Sequence, residues 1–212
     1  MSEEVIGDDG KRRSRVSSRA LAKSVYHSCF GEICIMELII DELQSDDWKH
    51  VRQIYLEGLA TGLASFEVDA PAWEHWDRSH HRHSRLVARH EDGVIAWAAL
   101  APVSLRECYA GVAEVSLYVA SSYRNKGIGK RLLQALIDAS ESNGIWSLCG
   151  STFPENTSSI RTQLACGFQV VGRRERIAQH HGIWRDTVIT ERRSKVVGAD
   201  RNHSTGLVAI GK

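Results

Sequence analysis

The sequence lacks any long hydrophobic run and any excess of charge of one sign. No apolar stretch approaches the roughly 20 residues that a membrane-spanning helix needs, and the run ICIMELII is interrupted by Glu37. With 27 Lys and Arg against 26 Asp and Glu, the formal net charge is +1, which argues against a protein that mainly binds nucleic acid. We therefore expect neither a membrane nor a nucleic acid as a partner.

Paired cysteines and metal-binding spacings are also missing. The five cysteines are scattered and odd in number, and no two form a CxxC pair. This pattern favours free thiols in a reducing compartment, and so a cytoplasmic protein, over a disulfide framework or a zinc knuckle. Four histidines crowd one segment near Asp77, but their spacing matches no zinc pattern, and we expect no metal there. These histidines are His75, His80, His81 and His83.

Two common phosphate-binding motifs are absent, although another glycine-bearing turn is present. The P-loop pattern GxxxxGK[ST] does not occur, and the dinucleotide fingerprint GxGxxG would require glycine at Leu132. Residues 112–137 instead predict a strand, a turn over residues 124–129 and a packed helix. The turn's two glycines let the backbone approach a ligand, and the first helix amides can bind an anion such as a diphosphate. The alternative is an ordinary glycine turn ahead of a helix.

The remaining patterns predict one mixed α/β domain over residues 36–195. Periodicity and turn signals give the order β-α-α-β-β-β-α-β-α-β-β, with hairpins early and crossovers late. This order predicts an α/β fold in which helices flank a sheet with both parallel and antiparallel neighbours. We expect residues 196–212 to form a flexible tail.

Residues 1–35 differ from the rest, because an acidic start is followed by a basic, serine-bearing stretch with little apolar periodicity. We expect this extension to be poorly ordered. A basic arm, a transit peptide and an upstream in-frame extension are three interpretations of it, and we favour the last.

Several segments carry a resemblance to a known family. The pattern R-x-x-G-x-G at residues 124–129, between strand and helix, resembles the acetyl-CoA diphosphate loop of the GNAT N-acetyltransferases. Other segments are similar to the phosphinothricin N-acetyltransferase group, which acetylates phosphinothricin, methionine sulfone, methionine sulfoximine and arsinothricin. These segments are SFE at residues 65–67, YAGVAEVSLYV at 109–119, FPENTSS at 153–159 and HGIWRD at 181–186. The resemblance implies the GNAT fold and direct acetyl transfer to a small amino-acid-like amine.

The resemblance also implies acetyl-CoA as the co-substrate, with no metal. In the family, a bulge in the central strand, placed here at residues 117–119, supplies a backbone amide to the thioester oxygen. Asn156 matches a coenzyme-contacting asparagine, although plain helix capping explains an asparagine equally well. The implied cofactor-binding residues are Leu117, Tyr118, Val119, Arg124, Asn125, Lys126, Gly127, Ile128, Gly129, Lys130 and Asn156.

The family pattern places catalytic roles on Glu114, Tyr118 and His181. Glu114 matches the glutamate that accepts a proton from the amine, although it can instead pair with a buried arginine. Tyr118 is a candidate to assist the departing thiolate, and His181 aligns with a histidine that some relatives use near the amine. Gln163 departs from the family, which usually has Tyr or His there. Because glutamine has no titratable proton, the general acid stays open.

The implied substrate-binding residues are Phe66, Glu67, Arg106 and Tyr109. Phe66 and Glu67 match a loop that walls the substrate pocket. Arg106 and Tyr109 match an Arg-x-x-Tyr pair that meets the substrate's acidic end, where the planar guanidinium binds two oxygens. A core position for Phe66 and a solvated loop for Arg106 are the alternatives.

Two other functions stay open. The chain can be a CoA-binding regulatory module, which the lack of a titratable group at Gln163 favours. It can also be an acetyltransferase of a protein or ribosomal substrate guided by the basic extension. By analogy with related enzymes, we expect a homodimer.

Overall fold

The computed structural model describes residues 21–27, 33–91 and 93–199. They form a sheet of eight strands and four α-helices. The strands are β1 (Leu21–His27), β2 (Ile33–Glu42), β3 (Leu86–His90), β4 (Gly93–Pro102), β5 (Val112–Val119), β6 (Ser147–Thr152), β7 (Gln169–His180) and β8 (Ile183–Arg193). The helices are α1 (Trp48–Leu59), α2 (Trp73–Ser79), α3 (Ile128–Ser142) and α4 (Thr157–Leu164).

The strand order is β1-β2-β3-β4-β5-β6-β8-β7. The pair β5 and β6 is parallel, because α3 crosses between them, whereas the neighbours on either side are antiparallel. The predicted mixed α/β fold and the predicted order of elements from β2 to β8 are therefore confirmed.

The structure differs from the prediction at its two sheet edges. The sequence predicted no regular element before residue 36, whereas β1 pairs with β2 from Leu21↔Ile39 to His27↔Ile33. The sequence placed hairpins early and crossovers late, whereas the last two strands, β7 and β8, form one hairpin that continues past the end of β6. The rest of the extension and residues 200–212 lie outside the described residues, so the predicted domain boundaries stay a prediction.

Each face of the central strands packs against a different helical layer. Along β4, Ala96, Ala98 and Leu100 face one core, and Trp97 and Ala99 face the other, as strand alternation requires. The first core contains the stripe of α3 that the sequence predicted, formed by Leu132, Leu133, Leu136 and Ile137, all buried. The second core is built from α1 and α2, with Val51, Ile54 and Trp76 buried. Burial of each such side chain contributes roughly 1.5–3 kcal/mol.

The sheet opens between β5 and β6. These strands pair over three positions, from Val112↔Ser147 to Glu114↔Cys149. β5 continues to Val119 against β4 on its other side. Beyond Glu114 the β6-facing backbone of β5 therefore borders a gap rather than a strand. Within the described part of the chain, no helix is long and apolar enough to cross a membrane.

Candidate functional site

A cleft of about 640 Å³ lies where β5 and β6 diverge. Its walls are the end of α1 with the following loop, the second half of β5, the turn into α3, and the end of β6 with α4. Of the residues predicted from the sequence, it brings together Phe66, Glu114, Leu117, Tyr118, Val119, Arg124, Asn125, Gly127, Ile128, Gly129, Lys130 and Asn156. These residues span 91 positions of the sequence, from 66 to 156, and the divergence of β5 from β6 brings them together around one cleft.

The first turn of α3 forms one end of the cleft. Gly127 precedes the helix with φ 76°, and Asn125 also has a positive φ of 61°. Among the described residues, no side chain caps these first amides, so they can bind an anion in the cleft. At Gly129 an added Cβ would lie 3.5 Å from Leu117 and 3.6 Å from Val119. The glycine therefore keeps open a narrow space between α3 and β5.

The cationic residues of this turn have different positions. Arg124 donates from Nε to the Val119 carbonyl at 3.1 Å and from Nη2 to the Glu57 carbonyl at 3.4 Å, so its guanidinium braces the turn against β5 and α1. Lys126 lies 5.0 Å from the centre of the Tyr123 ring and is not part of the cleft wall. Lys130 lies on the wall. The sequence alone does not separate these roles.

Glu114 is the last residue of β5 that pairs with β6, and it faces the cleft. Partial burial of its carboxyl raises its pKa above the ordinary value, and the charge of Arg174 opposes this rise. The residue is nevertheless accessible to solvent. A carboxylate with a raised pKa at the edge of an open cleft is suited to accept a proton near neutral pH.

Tyr118 forms an aromatic wall of the cleft. Its ring stacks on Trp97 at 4.8 Å with an interplanar angle of 12°, and Tyr55 packs on it at 4.7 Å. Burial raises the pKa of the Tyr118 hydroxyl, which is within hydrogen-bonding reach of Tyr55 and Ser65. A phenol with a raised pKa is a weaker proton donor, so this environment favours a wall over a general acid.

Asn156 connects two sides of the cleft. Its Oδ1 accepts a hydrogen bond from the Ser159 amide at 3.2 Å and caps α4. Its Nδ2 donates to the Leu63 carbonyl at 3.2 Å, across 93 positions of sequence. The predicted capping role is therefore present, together with a clasp on the loop that follows α1.

Gln163 is a buried residue of the cleft wall and belongs to a polar cluster. Thr190 donates to its Oε1, and its Nε2 lies 3.4 Å from Thr152 Oγ1 and 3.3 Å from Ser159 Oγ. A Cβ at Gly150 would lie 2.9 Å from Gln163 Oε1. The glutamine that replaces the family's usual Tyr or His is thus a packed hydrogen-bonding residue with no proton to titrate.

Besides Lys126, four predicted site residues lie outside this cleft. Glu67 and His181 line a separate cavity of about 340 Å³ beside the end of α1. The guanidinium of Arg106 lies 5.7 Å from the ring centre of Tyr109, on the loop before β5. The bulge implied at residues 117–119 is absent, because the β4–β5 register runs unshifted from Ala96↔Val119 to Pro102↔Ala113. The backbone that faces the cleft is exposed by the splay of the strands instead.

The histidine-rich segment has a structural role around Arg85. The buried Arg85 pairs with Asp77 at 2.5 Å and donates to the carbonyls of His80 and His81. His80 stacks on Trp76 at 4.2 Å. In the part of the chain that the structure describes, no group of three or more His, Cys, Asp or Glu is arranged to hold a metal ion.

Sequence reasoning missed several wall residues. Tyr55 and Gly58 come from α1, Ser65 from the loop, and Thr187 from β8. Tyr55 lies in the helical pattern and Ser65 in the SFE segment, but neither pattern shows which residues face a cleft. No local sequence pattern marks Thr187 as a cleft residue, because its position depends on the pairing of β8 with β6 and β7.

Comparisons with known proteins agree with this geometry. The chain is 32% identical over 102 residues to an L-methionine sulfoximine/L-methionine sulfone acetyltransferase of Pseudomonas aeruginosa, a match that covers 48% of this chain and 59% of that protein. It is 28% identical over 162 residues to a phosphinothricin N-acetyltransferase of Alcaligenes faecalis, with 71% and 79% covered. The chain thus spans less than two thirds of the first of these relatives.

Solved structures give the same fold. A phosphinothricin acetyltransferase from Sinorhizobium meliloti in complex with acetyl-CoA superposes with a TM-score of 0.70 at 25% identity, covering 79% of this chain and 94% of that one. A ribosomal-protein-alanine N-acetyltransferase from Brucella melitensis gives 0.69 at 26% identity, with 73% and 99% covered. The sequence profile of the acetyltransferase (GNAT) family matches residues 42–168, more than half of the chain. With the strand splay, the glycine turn and the carboxylate in their places, the chain belongs to the GNAT acetyltransferase family.

Proposed function

We propose that this protein is an acetyl-CoA-dependent N-acetyltransferase that acts on the α-amine of a small amino acid or amino-acid analogue. One observation carries the proposal. A single cleft joins uncapped helix amides at residues 127–129 to the carboxylate of Glu114. The first can hold a diphosphate, and the second can accept a proton, which are the two requirements of transfer from a coenzyme A thioester to an amine.

The residues of the cleft fit the coenzyme. The first turn of α3 and the side chain of Lys130 would hold the diphosphate, and Gly129 leaves space for it beside β5. The unpaired edge of β5 beyond Glu114 would hold the coenzyme's pantetheine arm by backbone hydrogen bonds. When bound, acetyl-CoA supplies an activated acetyl group as a thioester.

The chain's own residues perform the proton transfer and stabilise charge. Glu114 accepts a proton from the substrate ammonium, directly or through water, and leaves a neutral amine able to attack a carbonyl. The backbone N–H groups among residues 117–119 that point away from β4, into the splay, stabilise negative charge that develops on the carbonyl oxygen. Because the buried Gln163 cannot titrate and burial raises the pKa of Tyr118, we propose that the thiolate leaves without a side-chain acid.

The substrate class comes from the relatives, several of which carry the names of phosphinothricin or methionine sulfoximine and sulfone acetyltransferases. Phe66 packs edge-on against Phe153 at 4.8 Å and lines the same cleft as Glu114. The predicted contacts of Glu67, Arg106, Tyr109 and His181 with the substrate stay proposals, which single substitutions would test.

The test is turnover of acetyl-CoA with a panel of amines. The panel contains phosphinothricin, methionine sulfone, methionine sulfoximine and a peptide that begins with alanine. We expect thiol release with at least one of the three amino acids. Release with the peptide alone would replace the small-amine substrate by a protein. No release with any of them, together with tight coenzyme binding, would favour a CoA-binding module.

Glu114→Gln is the matched variant, because it keeps the shape of the side chain and removes the base. We expect unchanged coenzyme affinity by calorimetry and a roughly 10²- to 10⁴-fold lower kcat/KM. In the wild type, activity should fall as the pH drops through the raised pKa of Glu114, above its ordinary 4.5. This fall in activity at low pH should be missing in Glu114→Gln. If it persists in the variant, a group other than Glu114 accepts the proton.

We further propose that the protein is a homodimer that packs along the β7–β8 hairpin. Val170, Val171, Ile177, Ile183 and Trp184 are each at least 48% exposed there, an unusual density of apolar surface for an edge hairpin. Light scattering should show a dimer that Trp184→Glu dissociates. Leu105→Glu, at an apolar loop residue that is 99% exposed, is the control and should stay dimeric.

A further inference from the structure

One face of the sheet carries a row of polar side chains beside the cleft. The register places Glu114 of β5 beside Cys149 of β6, and Cys149 beside Glu191 of β8, so the three side chains share this face. Thr187 lies four positions from Glu191 along β8 and therefore points to the same face. Its partner on β7 is Arg174, whose side chain joins the same row.

Thr187 has an unmet hydrogen-bonding group at the cleft. The residue is 2% exposed, and its hydroxyl has no hydrogen-bond partner among the described residues. It lines the same cleft as Glu114. A buried hydroxyl without a partner costs about 1–3 kcal/mol, and most buried side-chain polar atoms in proteins have a hydrogen-bond partner. A substrate group that bonds to Thr187 would remove this cost.

Arg174 differs from Arg173 and Arg185, two other arginines of the hairpin. Arg173 pairs with Asp186, and Arg185 pairs with Glu155 at 3.1 Å. Among the residues that the structure describes, Arg174 makes no ion pair. Its positive charge nonetheless acts on this row of side chains. Burial raises the pKa values of Glu114 and Cys149, and the charge of Arg174 lowers both.

The charges along the row leave one end for an anion. Glu114 marks the end where the amine is expected. Glu191 accepts a hydrogen bond from Ser147 at 2.7 Å and lies four residues, roughly 13 Å of strand, away from Thr187. Glu114 and Glu191 thus lie at one level of the sheet, whereas Thr187 and Arg174 lie together farther along β8 and β7. The side of the face that can take an anion is therefore that of Thr187 and Arg174.

We propose that Arg174 and Thr187 form the subsite for the substrate's carboxylate, the group carried by the same carbon as the reacting amine. The guanidinium binds the carboxylate oxygens, the Thr187 hydroxyl donates a further hydrogen bond, and the amine is directed toward Glu114. This inference rests on the proposed function. It gives the recognition of the α-carboxylate to two residues of the C-terminal hairpin rather than to Arg106 on the loop before β5.

The experiment compares methionine sulfone with its carboxamide, which keeps the amine and removes the negative charge. Each is assayed at matched concentrations of free amine with wild-type protein, Arg174→Gln, Arg174→Lys and Thr187→Val. Arg173→Gln makes the same change of charge at the neighbouring position, on the opposite face of β7. Circular dichroism and melting curves establish that each variant is folded.

For the wild type, we expect a higher kcat/KM with the acid than with the amide. Arg174→Gln should lower the acid-to-amide ratio by roughly ten- to a hundredfold, mainly through KM, as loss of a charged hydrogen bond predicts. Arg174→Lys should restore part of it, and Thr187→Val should lower it by roughly three- to tenfold. The ratio in Arg173→Gln should equal that of the wild type.

Two results would overturn the inference. If Arg174→Gln lowers kcat/KM equally for acid and amide and shifts the low-pH limb, then Arg174 adjusts Glu114 and does not bind the carboxylate. If Arg106→Gln lowers the ratio and Arg174→Gln does not, the loop before β5 holds the carboxylate. Both results leave the proposed function standing. If the wild type acetylates another amino acid of the panel but not methionine sulfone, that amino acid and its carboxamide take its place in the comparison. Failure to acetylate any amino acid of the panel would refute the proposed function together with the inference.

Discussion

Gly58 allows the aromatic wall of the cleft to form, and its replacement by alanine is a sharp test of that packing. An added Cβ would lie 2.5 Å and 2.7 Å from two ring carbons of Tyr118. The ring has little freedom to move, because Trp97 stacks on it at 4.8 Å and Tyr55 contacts it at 4.7 Å. Gly58 is buried in α1, so the methyl group cannot turn toward solvent.

Two effects of opposite sign set the size of the change. Alanine is favoured over glycine in a helix by about 1 kcal/mol. Overpacking a core costs about 1–3 kcal/mol, and a fixed ring places this site near the upper value. Gly58→Ala should therefore lower the free energy of unfolding by about 2 kcal/mol. For a chain of this length, that corresponds to a fall of about 4–8 °C in Tm.

Urea unfolding of a double-mutant cycle checks the reasoning. In a Tyr118→Ala background the clash is gone, so Gly58→Ala should raise the free energy of unfolding by about 1 kcal/mol. The sign of one substitution thus reverses with the residue at position 118. If Gly58→Ala stabilises the protein with Tyr118 in place, the packing described for this wall is wrong.

Three further substitutions test other parts of the molecule. Gly129→Ala has room for its methyl group, so stability should change by less than about 0.5 kcal/mol, while calorimetry should show weaker binding of coenzyme A. Asn156→Asp keeps the acceptor that caps α4 but loses the donor to Leu63. It should leave Tm near the wild-type value and increase hydrogen exchange in the loop after α1; unchanged exchange would argue against the clasp. Burial lowers the pKa of His80 from 6.5 to about 4. As the pH falls, the unfolded chain is therefore protonated at His80 before the folded chain is. Stability should fall as the pH drops from about 6.5 toward 4, by up to about 3 kcal/mol, and His80→Gln should flatten this part of the curve.

Much of the fold was predictable because its signals are local. The alternation in β5, the glycines at 127 and 129 and the stripe of α3 lie within 26 consecutive residues, and the structure has a strand, a turn and a helix there. The hairpin of β3 and β4 followed from a turn signal between two apolar strands. These predictions succeeded because backbone preference and side-chain periodicity act over a few residues.

Other features of the site could not be predicted because they depend on partners far apart in sequence. Asn156 was assigned to capping or to the coenzyme, whereas its bond to Leu63 became visible only in the folded chain. Arg124 was expected to contact phosphate, but its guanidinium donates to carbonyls of β5 and α1. The type of a residue limits which hydrogen bonds it can make, and the packing of neighbouring elements determines which of these bonds form.

The sequence by itself determined the class of the protein: a mixed α/β domain with a glycine turn ahead of a helix and an acidic residue in the strand before it. Only the tertiary structure decided where that strand leaves its neighbour, which side chains meet in the gap, and that Thr187 and Arg174 lie on the face of Glu114. The reason is physical. Strand register and sheet order are set by pairing between distant segments, and a shift of one residue would turn every side chain of a strand to the opposite face.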